Sequence, residues 1–215
     1  MSLPEPYWQD NPLPSGPFGA ILADPPWLYA DGQAGSGLRG AASSHYDVIS
    51  VQHLCALPVG EVAATDSALF LWTCLPLLPE ALEVIEAWGF RYKTAVFSWT
   101  KVTLNGRAMF GCGNWTGSNV ELVLLGTRGH PKRLNADVPQ AIIERRREHS
   151  RKPDCVHERI QRLVAGPYLE LFARSARPGW TAWGNETEKF DPMPDLERQL
   201  ETGAPNLFSL EATDA

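Results

Sequence analysis

Ile21-Leu22-Ala23-Asp24-Pro25-Pro26-Trp27 is the stretch on which the reading of this chain turns. The residues from Phe18 to Ala23 are apolar or small, the pattern of a buried strand. Two prolines then stop it, because each locks φ and neither offers an N–H. The carboxylate of Asp24 is left at the carboxyl end of a strand. Open α/β sheets bind their ligands at that edge. A charge is costly to bury there unless something uses it.

Working outward, further apolar runs alternate with a helical one. Ala68 to Thr73 is predicted as a second strand, and Pro79 to Trp88 as an amphipathic helix stopped by Gly89. Phe90 to Lys101 and Val120 to Gly126 read as strands, with an irregular glycine-rich segment between them. Ser50 is a candidate N-cap for a short turn or helix to Leu57. Tyr168 to Ala173 and Gly179 to Gly184 supply two more strands, after a helical face at Val156, Ile160 and Leu163. The alternation predicts an α/β fold with a doubly wound, mostly parallel sheet. Ala136 to Glu148 is expected to be partly helical and to meet nucleic acid or a partner.

With 215 residues, 44% of them hydrophobic and 20% charged, one soluble globular domain is expected. No signal peptide and no membrane-length apolar run is apparent, which points to the cytoplasm. Cys55, Cys74, Cys112 and Cys155 form no C-x-x-C pair, so neither a disulfide frame nor a zinc site is expected. The net charge of −6 argues against a protein that merely coats nucleic acid. A local basic strip remains: Lys132, Arg133, Arg145 to Arg147, Arg151 and Lys152. Such a run also reads as a solvated face.

The chemistry of the first turn is specific. Asp24 and the carbonyl of Pro25 are adjacent acceptors on a rigid frame, suited to the two N–H donors of an exocyclic amino group. Holding both protons turns the nitrogen lone pair towards an electrophile. Trp27 offers a flat face for an unstacked base. The glycine-rich stretch 31–44 that follows reads as a mobile flap over a substrate or as a plain linker.

Asp-Pro-Pro-Trp resembles the signature of the MT-A family of N6-adenine methyltransferases. The chain is similar to that family in further blocks over roughly residues 18 to 190. These are Ser150-Arg151-Lys152-Pro153-Asp154, Glu170-Leu171-Phe172-Ala173-Arg174 and Trp183-Gly184-Asn185-Glu186. The resemblance implies a Rossmann-like methyltransferase fold of permuted motif order, with the amino-group motif first and the cofactor strand last. It implies S-adenosylmethionine as cofactor, bound by Glu170, Phe172 and Arg174, with Asn185 and Glu186 on the ribose hydroxyls. Asp10 is an upstream candidate for the same cofactor. Tyr46 is implied as a second wall for the target base. Lys152 is implied beside substrate or cofactor, with Pro153 opening a helix and Asp154 in its first turn. The loop after Phe172 lacks the Gly-x-Gly of wider methyltransferases.

The implied division is an extended segment (1–17), a methyltransferase domain (18–190) and a loosely ordered tail (191–215), in which Asp195 to Thr202 is a candidate helix. The implied substrate is adenine N6 in nucleic acid, DNA in preference to RNA. Cytosine N4 is the alternative, since the same amino-group chemistry serves both. A non-catalytic partner subunit of the same fold is a further alternative, which need not bind S-adenosylmethionine. The family also allows a homo- or hetero-dimer.

Overall fold

A computed structural model describes residues 11–27, 49–111, 115–147 and 151–189. Asp10, Tyr46, the 31–44 stretch and the 195–202 candidate helix lie outside the described residues.

The first strand, β1 (Phe18–Ala23), is buried almost throughout and lies inside the sheet. Ser50 caps α1 (Val51–Ala56), its hydroxyl accepting from the His53 amide, and a single turn, α2 (Val59–Val62), follows. Next come β2 (Ala63–Cys74), a 3₁₀ turn and α3 (Leu78–Ala87). Gly89, at φ +83°, ends α3, and the Phe90 amide returns to the Ile85 carbonyl. The chain continues through β3 (Arg91–Val102), β4 (Val120–Arg128), β5 (Ala141–Arg145), α4 (Cys155–Leu163), β6 (Tyr168–Leu171) and β7 (Trp180–Trp183).

These strands form one seven-stranded sheet in the order β5-β3-β4-β2-β1-β6-β7. The pairs β1–β2, β1–β6, β6–β7 and β3–β5 are parallel, and β4 runs antiparallel to both its neighbours. The carboxyl ends of β1, β3, β6 and β7 therefore share one edge, together with the amino end of β4. The earliest and latest parts of the chain meet at the middle of the sheet. Ala23 stands opposite Leu171 in register.

Successive side chains of a strand point to opposite faces. Ile21, Leu69, Leu124 and Leu169 pack towards the α1 and α3 side, with Leu54, Val84 and Ile85. Ala20, Leu22, Phe70, Trp72, Phe97, Trp99 and Val123 pack towards α4, against Val156 and Ile160. Two cores on two faces make the sheet doubly wound. At their ordinary transfer value, each large side chain fully buried here contributes about 2 kcal/mol. On period 2, Asp24, Lys101, Glu121 and Glu170 fall on the α4 face.

Two expectations are corrected. The Ala136–Glu148 segment carries a strand, β5, and not a helix. Its β-branched pair Ile142-Ile143 follows Pro139, and β3 offers an open edge to pair with. The α4 helix begins at Cys155, so Asp154 takes the N-cap position and Pro153 lies before the helix. Asp154 makes no capping bond to the helix, because arginines occupy its carboxylate.

Candidate active site

The Asp-Pro-Pro-Trp turn is fastened from every side. The Asp24 amide donates to the Leu171 carbonyl at 3.4 Å, tying the β1 end to β6. The Trp27 amide donates back to the Pro25 carbonyl at 2.9 Å, and the Ile49 amide to the Pro26 carbonyl at 2.9 Å. The Trp27 indole donates to the Trp72 carbonyl at 3.1 Å, and its ring is only 8% exposed. Here the structure departs from the expected stacking face. Trp27 belongs to the core and acts as the anchor of the turn. A carbonyl has two acceptor lone pairs, so Pro25 keeps one for a further donor.

A cleft opens above this turn on the α4 face. Asp24, Lys152, Glu170, Phe172 and Arg174 all line it. Residues 128 and more apart in sequence thus share one cavity wall. The Lys152 ammonium touches both Asp24 oxygens, at 2.8 and 3.0 Å, and lies 3.5 Å from Glu121. It also sits 5.4 Å from the Trp72 ring, over its face. Lys101 in turn pairs with Glu121. Two acids and two lysines therefore form one chain of charge across β1, β4, β3 and the start of α4.

Burial works against the charge on Lys152, but Asp24 and Glu121 outweigh it and hold its pKa above the ordinary lysine value. Burial likewise opposes ionisation of Glu121. Lys152 and Lys101 overcome it, and the carboxyl stays below its usual range. Both groups are ionised at neutral pH.

The β6 side is built differently. Glu170 receives a 2.8 Å hydrogen bond from Nε2 of His157, which α4 presents to it. His157 is buried against the Trp180 ring, 4.9 Å away, and its Nδ1 has no hydrogen-bond partner. With a carboxylate on Nε2, that nitrogen carries the donated N–H. One Glu170 oxygen remains for the cleft.

Phe172 follows at φ +60°, a left-handed backbone that a bulky side chain rarely adopts. Such a residue costs on the order of 1 kcal/mol and persists only where its surroundings over-determine it. Its ring is 5.6 Å from Trp183, edge to face, and the Trp183 indole is held by the Asn11 and Pro12 carbonyls. Gly184 lets the β7 loop press against Phe172 and Ala173. A Cβ there would stand 2.7 Å from the Ala173 carbonyl oxygen. Asn185 and Glu186 come next. They do not line the cleft itself, though Glu186 lies 3.9 Å from Arg174, which does.

Two groups of the site carry no sequence expectation: His157, which lines the cleft, and Glu121, which pairs with Lys152. The usable signal was periodicity: Glu121 lies two residues before Val123 on a strand, and His157 three before Ile160 on a helix.

Comparison with known proteins agrees with this geometry. The MT-A70 family model matches residues 18–186. The type II methyltransferase M.MunI of Mycoplasma is 32% identical over 207 residues, covering 88% of this chain and 84% of that protein. The human N(6)-adenine-specific methyltransferase METTL4 is 31% identical over 205 residues, 87% of this chain and 41% of its own length. An Arabidopsis N(6)-adenosine-methyltransferase MT-A70-like protein is 29% identical over 184 residues, 80% of this chain and 24% of its own. The chain thus spans less than half the length of the human and plant relatives. It belongs to the MT-A70 family of N6-adenine methyltransferases.

Proposed function

We propose that this chain transfers a methyl group from S-adenosylmethionine to the N6 amino group of adenine in nucleic acid, with DNA the preferred polymer. The observation that carries the proposal is the meeting of Asp24 and Phe172 in one cleft, from strand ends that are neighbours in register. The preference for DNA rests on the relative of like size, the type II methyltransferase, and not on a feature of the cleft.

The cleft suits the cofactor chemically. Glu170 is an acid with one oxygen directed to polar partners, Phe172 is a flat apolar wall, and Lys152 and Arg174 are cations suited to an α-carboxylate. Asn185 and Glu186, just past β7, would address vicinal hydroxyls. When bound, the cofactor supplies an electrophilic methyl group on a sulfonium centre.

This chain's residues then have to present the amine. Asp24 and the free lone pair of the Pro25 carbonyl accept the two N–H protons of the adenine amino group. The nitrogen lone pair is thereby turned into the cleft. The base must leave its stack for this, or come from a single strand. Asp24 faces an ammonium and serves as a fixed hydrogen-bond acceptor. Rate enhancement comes from placement and from acceptors fixed in advance. Tyr46 would wall the base and Asp10 would join the cofactor side.

The test is methyl transfer to matched DNA and RNA oligonucleotides, single and double stranded, followed by digestion and identification of the modified nucleoside. N6-methyladenine in DNA above RNA is expected. N4-methylcytosine, or RNA as the better substrate, would displace that part of the reading. No transfer to any of the four would overturn it.

A further inference from the structure

The β3–β4 connection leaves the same sheet edge as Asp24. It carries two exposed rings: Phe110 is 91% exposed and Trp115 is 99% exposed. Leu104, 82% exposed, stands beside them in sequence. Exposed single apolar residues are common, but two nearly naked aromatics on one loop are not.

The described flanks of this connection are held in place. Val102 bridges Ala108, and the Met109 amide donates to the Lys101 carbonyl at 2.9 Å. The Lys101 amide donates to the Asn119 carbonyl at 2.8 Å. Gly111 lies against Ser118 so closely that a Cβ would meet the Ser118 carbonyl oxygen at 1.9 Å. Both flanks of the loop are thus stapled to Lys101. The side chain of Lys101 is the outer member of the charge chain that ends on Asp24.

Exposed arginines stand on the same connection and on the strand beside β3, although the whole chain is acidic. Arg107 is exposed on the first flank. Arg145 is exposed at the end of β5, opposite Val102 in register. Exposed rings and exposed arginines, at the sheet edge where Asp24 also lies, fit a strand of nucleotides: rings for bases, guanidiniums for phosphates. A protein partner would call for a wider apolar patch with fewer charges at its centre.

We propose that Phe110 and Trp115 form a stacking platform for the nucleotides that flank the target adenine, with Arg107 and Arg145 on their phosphates. This rests on the proposed nucleic-acid substrate and names the surface that would hold the strand outside the cleft.

The test reads binding apart from turnover. Affinity of the full chain for a fluorescein-labelled single-stranded DNA of about 12 nucleotides is measured by anisotropy, for wild type, Trp115→Ala, Phe110→Ala, the double variant and Trp115→Phe. Loss of one stacked base should weaken binding about tenfold. The double variant should lose more, and Trp115→Phe should stay within about threefold of wild type. The KM for deoxyadenosine, which has no flanking nucleotide, and the Kd for S-adenosylmethionine should not move. Unchanged oligonucleotide affinity in the double variant would overturn the proposal. So would a loss that tracks a change of oligomeric state in sedimentation, since the rings would then bind protein. Wild-type binding without methyl transfer would instead count against the proposed reaction and leave the platform standing.

Discussion

Asp24 and Glu170 are two carboxylates on neighbouring strands, on one face and at one edge, yet the molecule treats them oppositely. Asp24 is met by a full positive charge, Lys152, which is itself shared with Glu121. Glu170 is met by an imidazole, His157, which takes one oxygen. Both partners come from one short segment, residues 152 to 157, at the start of α4. Asp24 is thus neutralised and rigid, suited to act as a hydrogen-bond acceptor. Glu170 keeps an open oxygen, suited to polar or cationic atoms of a cofactor. One helix start tunes two acids to two tasks.

The comparison breaks most visibly at Asp24. Asp24→Ala should lower methyl transfer by about 10³-fold, since it removes a preorganised acceptor at the reacting amine. Cofactor affinity should stay within a few-fold, because Glu170 and Phe172 are untouched. Single-turnover rates and calorimetric titration with S-adenosylmethionine would check the two halves. Equal losses in both would mean that the two acids do not divide the work.

Next in size is the cation between the acids. Lys152→Met keeps the stem over Trp72 and removes the charge. Asp24 would then lose its main counter-charge, and Glu121 would keep only Lys101. A stability loss of about 2 kcal/mol is expected, below that of a fully buried pair because Lys152 is partly exposed. Urea unfolding measures it. Glu121→Gln, by removing one of the two acids that Lys152 balances, should cost less. A Glu121→Gln protein less stable than Lys152→Met would show that Asp24 does not depend on its lysine.

Much of this frame was readable in advance, for identifiable reasons. β1, β2, β4 and β6 are apolar runs closed by Pro, Gly or charge, and such runs have few other uses. Gly89 ended α3 as its position after a periodic stretch implied. β5 escaped because a five-residue edge strand with one buried side chain, Ile142, has no periodic pattern to read. The anchoring role of Trp27 was hidden because an indole beside a reactive acid looks the same in sequence whether or not it locks the turn. Its bond to the Trp72 carbonyl, 45 residues away, cannot be read locally. Pairing order, and hence the meeting of Lys152 with Asp24, is a product of topology.

A subtler effect is expected at His157, where the comparison can be sharpened. His157→Ala would free both Glu170 oxygens and leave the carboxylate unoriented beneath Trp180. His157→Gln can present an amide N–H at nearly the same reach. If His157 positions Glu170 through that donor, the alanine variant should weaken S-adenosylmethionine binding about tenfold and the glutamine variant about twofold, both with kcat little changed at saturation. Equal effects from both variants would reduce His157 to packing.

The smallest effect concerns a third carboxylate on the same helix start. Burial would raise the pKa of Asp154, but Arg147 and Arg177 hold it at about 2, against 3.8 for a free aspartate. These arginines arrive from the chain beyond β5 and from the β6–β7 loop, so Asp154 clamps the segment that carries Lys152 and His157. A folded-state pKa below the unfolded one means stability that is present above about pH 4 and lost as pH falls towards 2. Asp154 is 39% exposed, and solvent screening reduces the contribution to about 1 kcal/mol. Asp154→Asn should therefore be less stable than wild type by that amount at neutral pH. Urea midpoints of the two proteins should converge as the solution is taken below about pH 4. Midpoints that stay equally far apart at every pH would mean that Asp154 acts through shape and not charge. The clamp on Lys152 and His157 would then be steric.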